Sequence, residues 1–237
     1  MTDNNQIEQL TQQVQALTQR LTNVEDRLAI ERLQFSYGYY LDKCLYEEVV
    51  DLFADDGEVV FLRGAFKSKE SVARLYIGRF RKKFTNDYNG PVFGFLLDHA
   101  QMQGIVTISD DGKSAKGRFR SMMQAGMHMM AGADTRQWWE GGVYENEYVK
   151  VDGVWKIKRL NYRCAFHGTF ENGWAYTKPN FVPFYTEADL YPGNPVGPDA
   201  IDETAVSWPE VDVVDFHYPH PTTGAPWEGQ RPRPEQE

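Results

Sequence analysis

Cysteine is nearly missing from this chain, and so are several other features that would have announced a function. The two cysteines, Cys44 and Cys164, lie far apart and belong to no CxxC pair, which excludes a disulfide framework and a thiolate zinc site. No apolar run approaches the roughly 18–20 residues that a membrane-spanning helix needs. The first residues, MTDNNQIEQLTQQ, are too polar for a secretory leader, so a cytoplasmic protein is expected. Positive charge is in deficit: 25 Lys and Arg against 34 Asp and Glu leave a net charge of −9. That balance argues against a nucleic-acid partner, which needs clustered cations. The single basic cluster, Arg79, Arg81, Lys82 and Lys83, reads as the solvated end of a helix. Phosphate-binding glycine loops, the GxSxG elbow, HExxH and EF-hand spacings are absent. The five histidines do not stand at metal-ligand spacings, and the one close pair, His217 and His220, falls in a Pro-rich segment. Any chemistry is therefore expected to run on side chains alone, with no cofactor and no metal.

What is present is aromatic and apolar material for one core, 14% and 41% of the residues. Three parts stand out: a heptad helix over 1–28, a body over 24–170 and a tail over 171–237. In the first, Ile7, Leu10, Val14, Leu17, Leu21, Val24 and Leu28 alternate in steps of three and four, the a/d pattern of a coiled-coil seam. A homo-oligomer, dimer or trimer, is the expectation; the other reading is an amphipathic helix folded back on its own domain. In the body, the first helix runs on to about Cys44 and a second covers Tyr46 to Phe53. Asp55-Asp56-Gly57 is expected to end that helix, and Glu58 to Leu62 to be a strand turning at Arg63-Gly64. Ser68 caps a third helix with Val72, Leu75, Tyr76 and Phe80 on one face. Four long strands follow, about His99–Ile108, Ala115–Met130, Trp138–Val151 and Trp155–Phe170, separated by turn residues at 109–112 and 151–153. Helices first and an antiparallel meander after imply an α+β fold, a curved antiparallel sheet with helices on its concave face. Such a sheet leaves a cavity open at one end. The tail is rich in Pro and Gly but keeps Trp174, Tyr176, Phe181, Phe184, Tyr185, Trp208 and Phe216. It is expected to pack as ordered loop and to contribute a lid, with the last residues, 228–237, disordered.

The polar groups expected at the cavity begin with Tyr39, Tyr40 and Asp42, where the first helix ends. A carboxylate near a helix C-terminus is electrostatically disfavoured. His99 opens a strand after Phe95-Leu96-Leu97-Asp98, and an imidazole paired with a carboxylate becomes a general acid and base.

The run from Asp42 through Leu52-Phe53-Ala54-Asp55-Asp56-Gly57 to Val60-Phe61, His99 at the head of a long strand, and Val151-Asp152-Gly153-Val154-Trp155 at the start of the last one resemble the SnoaL-like members of the nuclear-transport-factor-2-like superfamily. The resemblance covers about 24–165 and implies the cone-shaped fold of that superfamily. Within it, scytalone dehydratase is the nearest chemical analogue. Its Asp-His pair falls on Asp42 and His99, its two water-holding tyrosines fall on Leu41 and Phe61, and Tyr40 stands beside the first. Its second histidine has no match closer than His128, and its Ser and Asn partners fall near Gly142 and Tyr144. The heptad start, the Trp138-Trp139-Glu140-Gly141-Gly142 segment and the aromatic tail also resemble the sphingomonad lyases that release formaldehyde from lignin-derived diarylpropanes.

That resemblance implies a small aromatic substrate and a role for each residue. His99, oriented by Asp42, would move a proton at the hydroxyl; Tyr40 would assist, and Tyr40 or Tyr144 would meet a phenol. Arg118 or Arg120 would stabilise a phenolate, and alternation puts both on one face, in or out together. Tyr39, Phe61, His128, Trp139 and Asn161 complete the candidate substrate set, and Trp138, Trp155 and Phe166 are further candidate walls. Three functions stay open at this point: a cofactor-free lyase, a dehydratase or isomerase acting on a polyketide- or steroid-like compound, and a non-catalytic binding protein.

Overall fold

The computed structural model describes residues 2–129, 135–177, 185–211 and 213–229. Helix α1 runs unbroken from Thr2 to Asp42 and uses two different faces. Along its first part the seven seam residues from Ile7 to Leu28 are 54–61% exposed. From Asp26 onward a second stripe, Asp26, Ile30, Gln34, Tyr37 and Leu41, is buried against the body. Leu28 and Ile30 are two residues apart, about 200° around the helix. The seam therefore points away from its own domain, and the fold-back reading is excluded.

Short α2 (Tyr46–Asp51) leads into β1 (Phe53–Phe61) and β2 (Gly64–Phe66). Asp55-Asp56-Gly57 do not end a helix; they lie within β1, because buried Phe53 already pairs with Ile157 of the last long strand. The register then shifts before Glu58, which leaves Asp55 and Asp56 exposed on a bulge. The hairpin to β2 turns on Leu62 and Arg63, both at positive φ (48° and 74°), with Gly64 already in the strand. Ser68 caps the next helix as expected, its Oγ accepting from Ser71 N–H at 3.1 Å. That helix comprises α3 (Lys69–Ala73), a π-helical stretch Arg74–Arg81 and α4 (Lys82–Thr85). The wider π turn changes which side chains share a face, and such stretches are common at functional sites.

Four long strands complete the body: β3 (Phe95–Ile108), β4 (Ser114–Met127), β5 (Arg136–Val151) and β6 (Val154–Thr169). With β7 (Ala200–Ile201) from the tail, the sheet order is β3-β4-β5-β6-β1-β2-β7. All pairs are antiparallel except β1 with β6, which run parallel, a departure from the meander that the strand spacing implied. The result is an α+β fold with a curved, unclosed sheet and α1 packed across it.

β3 is the sheet edge, and α1 caps it. The backbone N–H of His99 donates to Asp42 Oδ1 at 2.6 Å, and the His99 carbonyl accepts from Gln101 Nε2 at 3.2 Å. Gln101 Oε1 in turn accepts from Gln34 Nε2 on α1 at 2.7 Å. Main-chain groups that would otherwise form an open edge are thereby satisfied. Gly38 permits the close approach, since a Cβ there would sit 2.5 Å from Gln101 Cγ.

The described part of the tail packs on its own domain. β7 pairs with β2, Arg74 holds Asp199, Arg163 holds Asp202 at 2.8 Å, and Trp208 N–H donates to Ala165 O at 2.8 Å. Phe181, Phe184 and residues 230–237 lie outside the described residues. Among the described residues no helix is long and apolar enough to cross a membrane.

Candidate active site

Strand register positions the site. His99 pairs with Met123, Met123 with Glu140, and Glu140 with His167, so these four residues form one transverse row across β3 to β6. The next row toward the strand ends is Leu97, Ala125, Trp138 and Thr169, and beyond it come Phe95, Met127 and Arg136. Residues two apart on a strand share a face, so the rows step outward along a single wall. That wall borders a cavity of about 240 Å³. Leu41 of α1, Phe61 of β1, Arg79, Phe80, Lys83 and Phe84 of the third helix, and Tyr185 of the tail close it from the other side.

One irregularity in β6 completes the row. Gly142 pairs with Cys164 but Gly141 with Phe166, so Ala165 is an extra residue, a β-bulge. Without it, Phe166 would face Glu140 and His167 would point to the opposite face. Bulges commonly re-aim a side chain next to an active site. Here the bulge brings His167 Nδ1 to 3.3 Å from Glu140 Oε2.

His99 is buried, and burial holds its imidazole down to about 4, against a smaller opposing effect from the Glu140 and Asp98 carboxylates. It is therefore neutral at neutral pH. Its Nε2 lies 3.0 Å from the Tyr144 hydroxyl. Behind it runs a chain of phenols: Tyr144 bonds Tyr37, and Tyr37 meets Tyr76 at 3.0 Å. Burial pushes Tyr37 up to about 12 and Tyr76 and Tyr144 well above 10, so all three keep their protons. His99 Nδ1 is buried and has no hydrogen-bond partner among the described residues, so it is the ring nitrogen that the protein leaves unsatisfied.

The expected Asp42–His99 contact exists, but through the main chain. Asp42 Oδ1 accepts from the His99 amide and not from the ring, because the outward amides of an edge strand need partners. Burial raises the Asp42 carboxyl above its usual range. Asp42 thus fixes the strand residue, while Tyr144 takes the imidazole.

The remaining sequence candidates divide cleanly. Phe61 lines the cavity, in T-shaped contact with Phe80 and stacked on Tyr162 (5.4 and 6.0 Å between centroids). Trp138 lines it too. Tyr40 is half-buried against the core and does not line the cavity, and Tyr39 is 73% exposed. Arg118 and Arg120 both face the opposite side of the sheet, because Gly117, Phe119 and Ser121 take the cavity-side positions. There Arg118 bonds Glu145 and the Val214 and Asp215 carbonyls and lies over the Phe216 ring, which anchors the tail. Trp139 points the same way, against Phe170 and Trp174, and so does Phe166. His128 is exposed near Phe93, away from the cavity. Asn161 borders a separate opening beside Glu145 and His217. Trp155 is core, its Nε1–H donating to Asp26 Oδ1 at 2.8 Å. Of the basic cluster, Lys82 and Lys83 are exposed as expected and Arg81 pairs with Glu47 and Asp87, but half-buried Arg79 lines the cavity and Lys83 borders its opening.

The model of the SnoaL-like domain matches residues 22–161, more than half of the chain. This protein belongs to the SnoaL-like family. Among solved structures, a hexachlorocyclohexane dehydrochlorinase, LinA type 2, superposes with a TM-score of 0.53 at 18% identity, covering 68% of this chain and 99% of its own. LinA type 3 from Novosphingobium barchaimii gives 0.51 at 19%, covering 63% and 93%. A protein from Novosphingobium aromaticivorans named as a scytalone dehydratase gives 0.49 at 23%, covering 66% and 98%. These likenesses concern the SnoaL-like fold. No curated protein gives a significant match. Among the described residues no group of three or more His, Cys, Asp or Glu is placed to hold a metal ion.

Proposed function

We propose that this SnoaL-like protein is a cofactor-independent lyase that eliminates water and formaldehyde from a phenolic diarylpropane diol, leaving a stilbene. The observation that carries the reading is the single row His99–Met123–Glu140–His167 across the sheet. It sets a neutral imidazole and an imidazole–carboxylate pair on one aromatic-walled cavity. In the first step the substrate phenol gives up its proton and the benzylic hydroxyl leaves as water, protonated by the His167–Glu140 pair. The product is a quinone methide. In the second step His99 takes the proton of the primary hydroxyl, the adjacent C–C bond breaks, and formaldehyde departs. The electron pair returns the ring to a phenolate, which regains a proton. One diol gives one stilbene, one water and one formaldehyde, with no oxidant. The LinA fold relative is named a dehydrochlorinase, another elimination. Volume is a constraint: about 240 Å³ lies below the usual range of roughly 300–1,000 Å³ for ligand pockets. One ring therefore fits inside and the second lies in the mouth, against the Phe84–Phe95 pair, which is stacked on itself at 4.8 Å.

The test is direct. Incubated with a diarylpropane diol bearing a free phenol, the protein should release formaldehyde and generate stilbene absorbance in equal amounts. Water loss with no formaldehyde would leave a dehydratase and remove the C–C cleavage step.

The α1 seam supports a further part of the proposal: the protein assembles with copies of itself through a parallel bundle of α1 helices. Seven apolar side chains at heptad spacing face solvent in one protomer, and a repeated a/d seam is satisfied by an identical seam. Leu17→Asp with Leu21→Asp should convert the oligomer to a monomer by light scattering while leaving the far-UV spectrum of the body intact. An unchanged mass would refute the seam as the interface.

A further inference from the structure

The mouth of the cavity carries charge that the acid–base reading does not use. Arg79 and Lys83 project from the third helix and Arg136 from the start of β5, and all three line the same opening. In a chain of net charge −9 most buried or half-buried cations have carboxylate partners: Arg74 with Asp199, Arg118 with Glu145, Arg163 with Asp202, Lys150 with Asp26. Among the described residues these three make no ion pair: Arg79 is half-buried within the electrostatic reach of Asp189, and Lys83 and Arg136 stand exposed at the rim. They rest on ring faces instead, Arg79 over Tyr185 at 4.7 Å, Arg136 over Trp138 at 4.7 Å and Lys83 beside Phe84 at 5.4 Å. They also repel one another: burial first, then Arg79 and Arg136, lower the affinity of Lys83 for its proton. Three mutually repelling cations held on aromatic walls form a receptor that an anion would relieve.

The same register that builds the row of imidazoles fixes the distance. Arg136 and Glu140 lie four residues apart on β5, roughly 14 Å at about 3.4 Å per residue. A ligand that reaches both the mouth cations and the His99–His167 row must be long and flat, which a two-ring compound is.

We infer that the substrate bears a carboxylate on its outer ring, bound by Arg79, Lys83 and Arg136 at the cavity mouth. This rests on the cavity being the substrate site proposed above, and it adds the charge of the compound that enters. Arg136 and Arg79 supply the paired N–H donors that suit a carboxylate, and Lys83 supplies a point charge. The inner ring then lies deeper, past the stacked Phe84–Phe95 pair and Trp138, to present its benzylic carbon to His99.

Binding of an unreactive probe separates this inference from the reaction. Titration of the full chain with 4-biphenylcarboxylate and with its methyl ester should give at least about tenfold tighter binding of the acid at low salt. That preference should shrink as salt screens the mouth. Lys83→Gln with Arg136→Gln should reduce acid binding to the level of the ester and leave ester binding unchanged, whereas Lys82→Gln, at a neighbour that does not line the cavity, should change neither. Equal affinities for acid and ester in the wild type, or equal losses for both in the double variant, would overturn the inference. Should a neutral diol still release formaldehyde in that case, the lyase reading stands without it. If the acid is preferred but no diol is cleaved, the anion site stands and the reaction falls.

Discussion

Replacing His99 with glutamine lowers turnover of the diol by about 10²- to 10⁴-fold, the usual contribution of a positioned acid–base group, while affinity for an unreactive biphenyl ligand changes little. Glutamine keeps much of the volume and can still reach the Tyr144 hydroxyl, which the His99 ring meets at 3.0 Å, so the cavity keeps its shape. A pure binding protein would lose neither property. The same variant should change the acid stability of the fold. His99 binds its proton with a value of about 4 in the folded chain, down from 6.5, so the unfolded chain takes up a proton more readily. The stability that neutral His99 confers is fully present above about 6.5 and is lost as pH falls through about 4. The loss is on the order of 3 kcal/mol for one such group. His99→Gln abolishes that component, so its unfolding free energy should fall less steeply between pH 6.5 and 4 than that of the wild type. Identical pH slopes would place His99 in contact with water and remove the basis for its role as a neutral base.

His99 is legible in the sequence, whereas the partner of its imidazole is not. Alternation in the long strands is visible in residues such as Gly117, Phe119, Ser121 and Met123, and it puts His99 and Phe61 on the inner face and Arg118 with Arg120 on one common side. Which side cannot be read locally. It depends on the tail, whose Phe216 and main-chain carbonyls cover Arg118 from nearly a hundred residues away. The Asp42–His99 proximity follows from the resemblance to scytalone dehydratase and not from strand alternation. The choice between ring and amide follows from neither, because it depends on β3 being the edge of the sheet. Glu140 was within reach of the same alternation, since it lies an even number of residues from buried Tyr144, Asn146 and Tyr148. A carboxylate on the buried face of a strand is a signal that the sequence carries. His167 was out of reach. Its inward direction exists only because Ala165 is inserted into β6, and neither composition nor period two announces a bulge at that position. The half-buried Arg79 at the mouth is hidden for a similar reason: it lies in a π-helical stretch from Arg74 to Arg81, where a regular helical period does not assign the faces.

Glu140 and His167 form the second acid–base unit, and they should fail together. Their hydrogen bond spans neighbouring strands at 3.3 Å, so removing either member disables the proton that leaves with the benzylic hydroxyl. Glu140→Gln and His167→Gln are each expected to reduce kcat about 10²-fold or more, and the double variant should be no slower than the slower single one, because groups that act as a unit are not additive. Multiplicative losses would mean that the two act in separate steps. A second measurement distinguishes chemistry from structure. The Glu140 carboxylate favours the charged form of His99, so Glu140→Gln should move the His99 titration, followed by its imidazole proton resonance, further below about 4. His167→Gln leaves that carboxylate in place and should not lower it. A common cavity therefore predicts one shared loss of turnover and two different responses of His99; a Glu140 that only sets the charge around His99 predicts the two responses without the shared loss.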